Sequence, residues 1–494
     1  AMSDALGDIL FDASASHASS VCLRLLSGET WRYSDVQDQA LRMAAELHAR
    51  GVSQGERVLV QVEKSPHAVC LYLACVYAGI VYVPLNTAYT VAEIDYFVKD
   101  AKPRLLIRDE ASLAQTDVPA LTLNALVESS CNRAPLARPV AAGRDTPAAI
   151  LYTSGTTGRP KGAQLSHGNL VSNAQALRQV WEWRDEDVLL HALPIYHVHG
   201  LFVALHAALF GGSQIRFLPR FNVEDVLAML PGCSVLMGVP THYARLLDSP
   251  AFDAKLTKSV RLMISGSAPM TSALHQRLRA RAGKFVVERY GLTEGMILTS
   301  CAIDAADKPG SVGYALPGVD LRVARRGIGE DIGEIEAKGP GIFLGYFGNR
   351  QATIDVMTSD GYIRTGDLGR LDADGALTIT GRAKDLIISG GLNVYPREVE
   401  AEIDGLPGVK ESAVIGAPHA DFGEGVVAVI VGDSPGFPDA LPLEVVRSEL
   451  TGRLARFKLP KAVVHVDELP RNQMGKVQKN ILRDLHKGIF SGNE

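Results

Sequence analysis

Short apolar strands alternate with amphipathic helices along most of this chain, and several of the strands run straight into loops of glycine, serine and threonine. That alternation limits the fold more than any other feature. Helical periodicity over residues 36–50 precedes an apolar run at 57–62, a second helix at 68–78 and a second strand at 81–84. Further strands are expected at 148–153, 188–193, 214–217, 235–237, 262–265 and 285–289. Strands separated by helices pair in parallel, because each crossover returns the chain to the same end of the sheet. The expected architecture is α/β and doubly wound, with ligands held where strands give way to loops.

At 494 residues the chain exceeds what one hydrophobic core supports, so more than one domain is expected. After about residue 310 glycines punctuate short segments, at 313, 318, 333, 339, 345, 361, 366 and 375, which reads as a small β-rich subdomain over about 310–383. A smaller α/β unit follows, with helices at 396–403 and 443–454, strands at 411–415 and 426–431, and a Pro-rich surface loop at 434–442. The expected division is an N-terminal domain over 1–383 and a C-terminal domain over 384–494.

Composition excludes several classes. A net charge of −5 and the absence of a basic run argue against a nucleic-acid partner. No apolar run reaches the roughly 20 residues a bilayer demands, and the N-terminus lacks a signal-peptide plan, so no membrane association is expected. The six cysteines are scattered, without zinc-ligand spacing, and a reducing cytoplasm suits them best.

Residues 149–152 form an apolar strand that enters Thr153-Ser154-Gly155-Thr156-Thr157-Gly158, with Lys161 close behind. Such a loop offers hydroxyls and backbone N–H groups to phosphate oxygens, and the lysine adds positive charge. It is not a Walker loop, because Arg159-Pro160 separates Gly158 from Lys161 and Gly162 stands in the hydroxyl position. A Ser/Thr/Gly loop in isolation is commonly a solvated turn. The whole string from Tyr152 to Gly162 is more specific, and it resembles the signature of the adenylate-forming superfamily of acyl-CoA synthetases, luciferases and peptide-synthetase adenylation domains.

The resemblance extends over nearly the whole chain, with its elements in order. It implies that Thr153, Ser154, Gly155, Thr156, Thr157 and Lys161 hold the ATP phosphates. Tyr290-Gly291-Leu292-Thr293-Glu294 is similar to the element in which threonine meets the α-phosphate and glutamate holds Mg²⁺. Ser265-Gly266-Ser267-Ala268 resembles the loop lining the adenine site, with Tyr290 as the stacking ring. Asp367 and Arg382 stand where the family binds ribose, and Lys384 falls at its hinge. Gly390-Gly391 resembles the loop that lines the tunnel for coenzyme A. Lys476, in Gly475-Lys476, matches the lysine that bridges carboxylate and α-phosphate in adenylation. By the same analogy a lysine acetyltransferase acting on Lys476 would switch that step off. The chain ends soon after Lys476, and the expectation drawn from that is free coenzyme A rather than a tethered carrier as acceptor.

The acid is addressed by other residues. His197, in Pro194-Ile195-Tyr196-His197-Val198-His199-Gly200, is expected beside the acyl pocket as a gate. Arg245 sits one helical turn after Thr241, and Arg289 ends an apolar strand beside Tyr290. An arginine beside an apolar pocket calls for an anionic partner, which a second substrate carboxylate would supply. The ordinary structural reading pairs these arginines with Glu288 or Asp248 instead. The surrounding strings resemble the malonyl-CoA synthetase family, in which equivalents of Arg245 and Arg289 bind the distal carboxylate of a dicarboxylic acid. One departure stands out: where that family carries a threonine and, soon after, an asparagine, this chain has Gly295-Met296-Ile297-Leu298. Loss of those polar groups makes methylmalonate a second candidate substrate. The competing reading is an acyl-CoA synthetase for a medium-chain or aromatic monocarboxylic acid.

Overall fold

Two large sheets, one small antiparallel sheet and a separate C-terminal sheet organise the chain. The computed structural model describes residues 5–109, 117–153, 159–304, 310–325, 331–472 and 475–491. In the first large sheet the strands Pro147–Thr153, Val81–Pro84, Arg57–Gln61, Leu105–Arg108 and Ala120–Thr122 run parallel in that spatial order. Two antiparallel strands, Lys161–Ser166 and Gly345–Tyr346, extend it beyond Pro147–Thr153. The second sheet orders Val286–Leu292, Leu262–Ser265, Val235–Gly238, Val188–His191, Gln214–Phe217 and Val21–Leu25 in parallel, with antiparallel strands at both edges.

The helices between these strands are apolar where the sheets cover them. Helix Pro66–Ala78 begins with Pro66 behind a Ser65 cap, whose hydroxyl accepts from the Ala68 N–H, and every residue from Ala68 to Ala78 is buried. Tyr33, Tyr72, Tyr77 and Trp181 lie fully inside the main core. Cores this well filled hold strand ends rigidly, which a site built from several loops requires.

The β-rich subdomain is a four-stranded antiparallel sheet of Asp320–Arg325, Gly333–Lys338, Ile363–Leu371 and Leu377–Arg382. In the small C-terminal domain Gly423–Gly432 is the central strand, pairing antiparallel with Val409–His419 and parallel with Ala462–His465. Its residues alternate strictly between two cores: Val426, Ala428 and Ile430 face one, and Val427, Val429 and Val431 the other. No helix among the described residues is long and apolar enough to cross a membrane.

Several expectations shift at the level of elements: the strand expected at 188–193 stops at His191, and those at 411–415 and 426–431 lengthen to Val409–His419 and Gly423–Gly432. The strand expected to stop at 289 runs on as Val286–Leu292, because its last four residues pair with Met296–Ser300. The loop expected at 434–442 contains a short helix, Phe437–Ala440, anchored by the buried Phe437 side chain. Helix Leu443–Leu450 stops four residues short of 454, and the Thr451 hydroxyl turns back onto the Arg447 carbonyl.

Candidate active site

The carboxyl ends of the parallel strands open into a cleft of about 2070 Å³, lined by residues of both domains. Thr153, Lys161, His197, Ser267, Ala268, Arg289, Tyr290, Gly291, Thr293, Glu294, Asp367, Arg382, Lys384 and Lys476 all face it. Residues scattered over more than 300 positions of sequence are thus brought to one cavity. Ser154, Gly155, Thr156 and Thr157 of the glycine-rich loop lie outside the described residues. The chain on either side of that loop is pinned: the Tyr152 hydroxyl donates to Asp100 at 2.6 Å, and the Tyr96 hydroxyl donates to the Pro160 carbonyl at 2.6 Å.

Strand Val286–Leu292 delivers three functional side chains in succession. Glu288 accepts from the Met270 N–H at 3.0 Å and lies 3.0 Å from His275 Nε2, so its carboxylate is already engaged. Arg289, only 7% exposed, has no hydrogen-bond partner for Nε or Nη2 among the described residues. Burial pushes its guanidinium down to about 10, and no carboxylate among the described residues pairs with it to offset the cost. Tyr290 donates its hydroxyl to Asp367 Oδ2 at 2.5 Å. Asp367 is held a second time by Arg382 Nε at 3.0 Å, across the register that pairs these two residues in the sheet. The Asp367 N–H is steadied by the Thr365 hydroxyl, itself bonded to the Ile335 carbonyl.

At the opposite side of the cleft the Tyr346 hydroxyl donates to Glu294 Oε1 at 2.7 Å, and Lys161 Nζ sits 5.4 Å from the Tyr346 ring centroid. Tyr346 was not legible as a site residue, since it lies in a glycine-punctuated segment without a motif. No group of three or more His, Cys, Asp or Glu among the described residues could hold a metal ion. Glu294 offers a single carboxylate, which is the donor set of a Mg²⁺ ion that takes most of its ligands from phosphates and water.

The loop after Val188–His191 carries His197, and His199 opens the π-helical turn His199–Ala204 that follows it. His197 Nε2 has no partner, and burial, aided by the Lys476 charge, lowers the ring to about 3. His199 is 3% exposed, and neither of its nitrogens has a partner; burial, Arg289 and the neighbouring histidines hold it well below the usual range. His199 was missed because sequence alone does not separate it from a core histidine. Ser265 Oγ is likewise buried without a partner.

The two arginines separate in the structure. Arg289 is buried in the cleft, whereas Arg245 is exposed on helix Pro240–Asp248 and does not line the cavity. Neither forms an ion pair with Glu288 or Asp248, so the ordinary pairing does not apply among the described residues. Of Gly295-Met296-Ile297-Leu298 only Ile297 lines the cleft; Met296 and Leu298 pack into the main core. Gly390 and Gly391 lie away from the cleft, beside Phe422, whose carbonyl accepts from the Gly390 N–H at 2.8 Å.

Lys476 closes the cavity from the C-terminal domain. Burial and the Arg382 charge are the main forces that lower its ammonium to about 8. Its neighbour Gly475 lies beside the N-terminal domain, where a Cβ would be in ordinary van der Waals contact with Thr241 Oγ1 at 3.5 Å.

This arrangement can hold a nucleotide between Tyr290, Asp367 and Arg382, and it presents unpaired cations to a small anion. Comparison with known proteins shows the family. The family model "AMP-binding enzyme" matches residues 10–347, and "AMP-binding enzyme C-terminal domain" matches 398–476. The chain is similar to a malonate–CoA ligase of Arabidopsis thaliana, at 32% identity over 96% of this chain and 88% of that one. It is also similar to the long-chain-fatty-acid–CoA ligase FadD13 of Mycobacterium tuberculosis, at 34% over 92% and 93%. Among solved structures, ATP-bound MatB from Rhodopseudomonas palustris superposes with a TM-score of 0.94 at 46% identity, over 99% of this chain and 100% of that one. From the cleft, its residues and these matches together, the chain belongs to the AMP-binding enzyme family, as an AMP-forming acid–CoA ligase that uses ATP and coenzyme A.

Proposed function

We propose that this ligase is a malonyl-CoA synthetase, with methylmalonate as a second substrate. The observation that carries the reading is Arg289: a buried guanidinium facing the cleft whose Nε and Nη2 have no hydrogen-bond partner, and which has no ion-pair partner, among the described residues. A cation left so would cost several kcal/mol unless the ligand supplies the anion. The distal carboxylate of malonate is that anion, and Arg245, exposed and outside the cavity lining, acts on it at most as a distant charge.

In the first half-reaction a carboxylate oxygen attacks the α-phosphorus of ATP, the bond to the bridging oxygen breaks, and pyrophosphate leaves. Lys476 neutralises charge on the reacting oxygens and the Thr293 hydroxyl donates a hydrogen bond to the α-phosphate, Lys161 and the loop from Thr153 hold the β- and γ-phosphates, and Asp367 with Arg382 orients the ribose. Glu294 would hold Mg²⁺, which supplies charge neutralisation for the departing pyrophosphate. His197, neutral, gates the acyl pocket and offers a hydrogen bond rather than a charge.

In the second half-reaction the thiol sulfur of coenzyme A attacks the acyl carbonyl and AMP leaves. The small domain, taken as 384–494, turns about Lys384 and brings Gly390 and Gly391 to the tunnel. Acetylation of Lys476 by a lysine acetyltransferase would remove the charge needed only in the first step. The reading places the reaction in the cytoplasm. A pyrophosphate-release assay over a panel of acids tests it: turnover of malonate far above butyrate supports malonate, and equal rates favour a monocarboxylic acid.

A further inference from the structure

The loop that carries Lys476 is tied on both sides to partly buried carboxylates of the C-terminal domain, Glu411 and Glu400. On its N-terminal side Arg471 forms an ion pair with Glu411 and donates from Nη1 to the Gly475 carbonyl at 2.7 Å. Inside the loop the Lys476 N–H donates to Asn472 Oδ1 at 3.0 Å, and the Asn472 N–H donates to the Lys476 carbonyl at 2.9 Å. On the C-terminal side Lys479 Nζ lies 3.0 Å from Glu400 Oε2 and 3.2 Å from Oε1. Those two side chains are 15% and 14% exposed, and Glu400 Oε2 also accepts the Val414 N–H at 3.1 Å.

Two features argue that the Glu400–Lys479 pair serves geometry rather than stability. Lys479 opens helix Lys479–His486, where a cation opposes the helix dipole, so local helix energetics do not favour it. A buried ion pair is, moreover, a poor net stabiliser compared with apolar residues of the same size. What the pair does is tie the residue three positions after Lys476 to helix Pro396–Asp404, while the Arg471–Glu411 pair ties the residue five positions before Lys476 to strand Val409–His419. Gly475, at the turn of this loop, lies beside Thr241 of the N-terminal domain.

We infer that Glu400 and Lys479 are positioning residues, which set the placement of Lys476 over the reacting oxygens in the adenylation step. This rests on the assignment of Lys476 above. The test is Lys479→Met in two separate assays: pyrophosphate release from ATP and malonate, and thioester formation from supplied malonyl-adenylate and coenzyme A. Adenylation kcat is expected to fall roughly 100-fold, as for a displacement of about 1 Å, with the KM for ATP little changed and thioester formation retained. Lys479→Arg is expected to restore adenylation. Should Lys479→Met fold poorly, the double variant Lys479→Met/Glu400→Leu, which removes the pair without stranding a charge, carries the same expectation.

Undiminished adenylation, or equal loss in both half-reactions by a folded variant, overturns the inference. Lys476→Ala run alongside separates the two ideas. If it adenylates normally, the assignment of Lys476 falls and the inference falls with it; if it is inactive while Lys479→Met is unimpaired, only the inference falls.

Discussion

Gly266 lies directly beneath the Arg289 guanidinium: a Cβ at position 266 would stand 2.2 Å from Arg289 Cζ. The loop after strand Leu262–Ser265 therefore needs glycine to make room for the buried cation. Gly266→Ala is expected to leave thermal stability nearly unchanged, because the far end of a side chain moves more readily than backbone. It should lower kcat/KM for malonate about 10-fold or more through the displaced charge-assisted contact, and disturb the KM for ATP less. A change confined to ATP would instead tie Gly266 to the adenine site alone.

Lys476 is lowered from 10.5 to about 8. The unfolded chain holds the extra proton between those values, so this group makes stability rise with pH across that window. Activity runs in the opposite sense, since adenylation uses the charged lysine. The adenylation kcat/KM is expected to decline above about pH 8, with the thioester half-reaction not following it. Bound triphosphate favours the charged lysine, so the corresponding limb in kcat should appear at higher pH.

His197 and His242 are lowered to about 3 and about 4, each chiefly by burial. Both are expected to remain neutral from about pH 5 to 8, visible as imidazole resonances that do not titrate. Their folded values lie below the usual 6.5, so stability from these rings is lost as pH falls through 6.5 towards those values. A His197 resonance titrating near 6.5 would show that the gate is wet.

Tyr290 combines a ring that faces the cleft with a hydroxyl bonded to Asp367. Tyr290→Phe keeps the ring and removes one of the two groups that orient the carboxylate. A charge-assisted bond of this kind is worth about 2 kcal/mol, so the KM for ATP should rise about 10-fold or more. Calorimetric titration with AMP checks the same loss without turnover.

Much of this was legible in the sequence because its signals are local. The strands at 81–84, 214–217 and 262–265 appear at the expected residues, since short β-branched and apolar runs bounded by polar or glycine residues have no competing period. The extension of Val286–Leu292 was not legible, because its partner Met296–Ser300 is a matter of tertiary pairing. Motif order assembled Tyr290, Asp367, Arg382, Glu294 and Lys476, and the structure gathers them in one cleft. The supports of those residues lie far away in the chain and carry no motif. Tyr346 reaches Glu294 across 52 positions, and Glu400 reaches Lys479 across 79. The contrast between buried Arg289 and exposed Arg245 likewise depends on packing, which periodicity near 289 and 245 does not encode.

The central claim is that Arg289 reads a second carboxylate. The direct measurement is the ratio of kcat/KM for malonate to that for butyrate, in the unaltered enzyme and in Arg289→Ala, with Arg245→Ala beside them. The ratio is expected to lie far above one, to collapse by about 10- to 100-fold in Arg289→Ala, the worth of one charge-assisted pair, and to fall less in Arg245→Ala. A ratio near one in the unaltered enzyme, or one that Arg289→Ala leaves untouched, would contradict the claim.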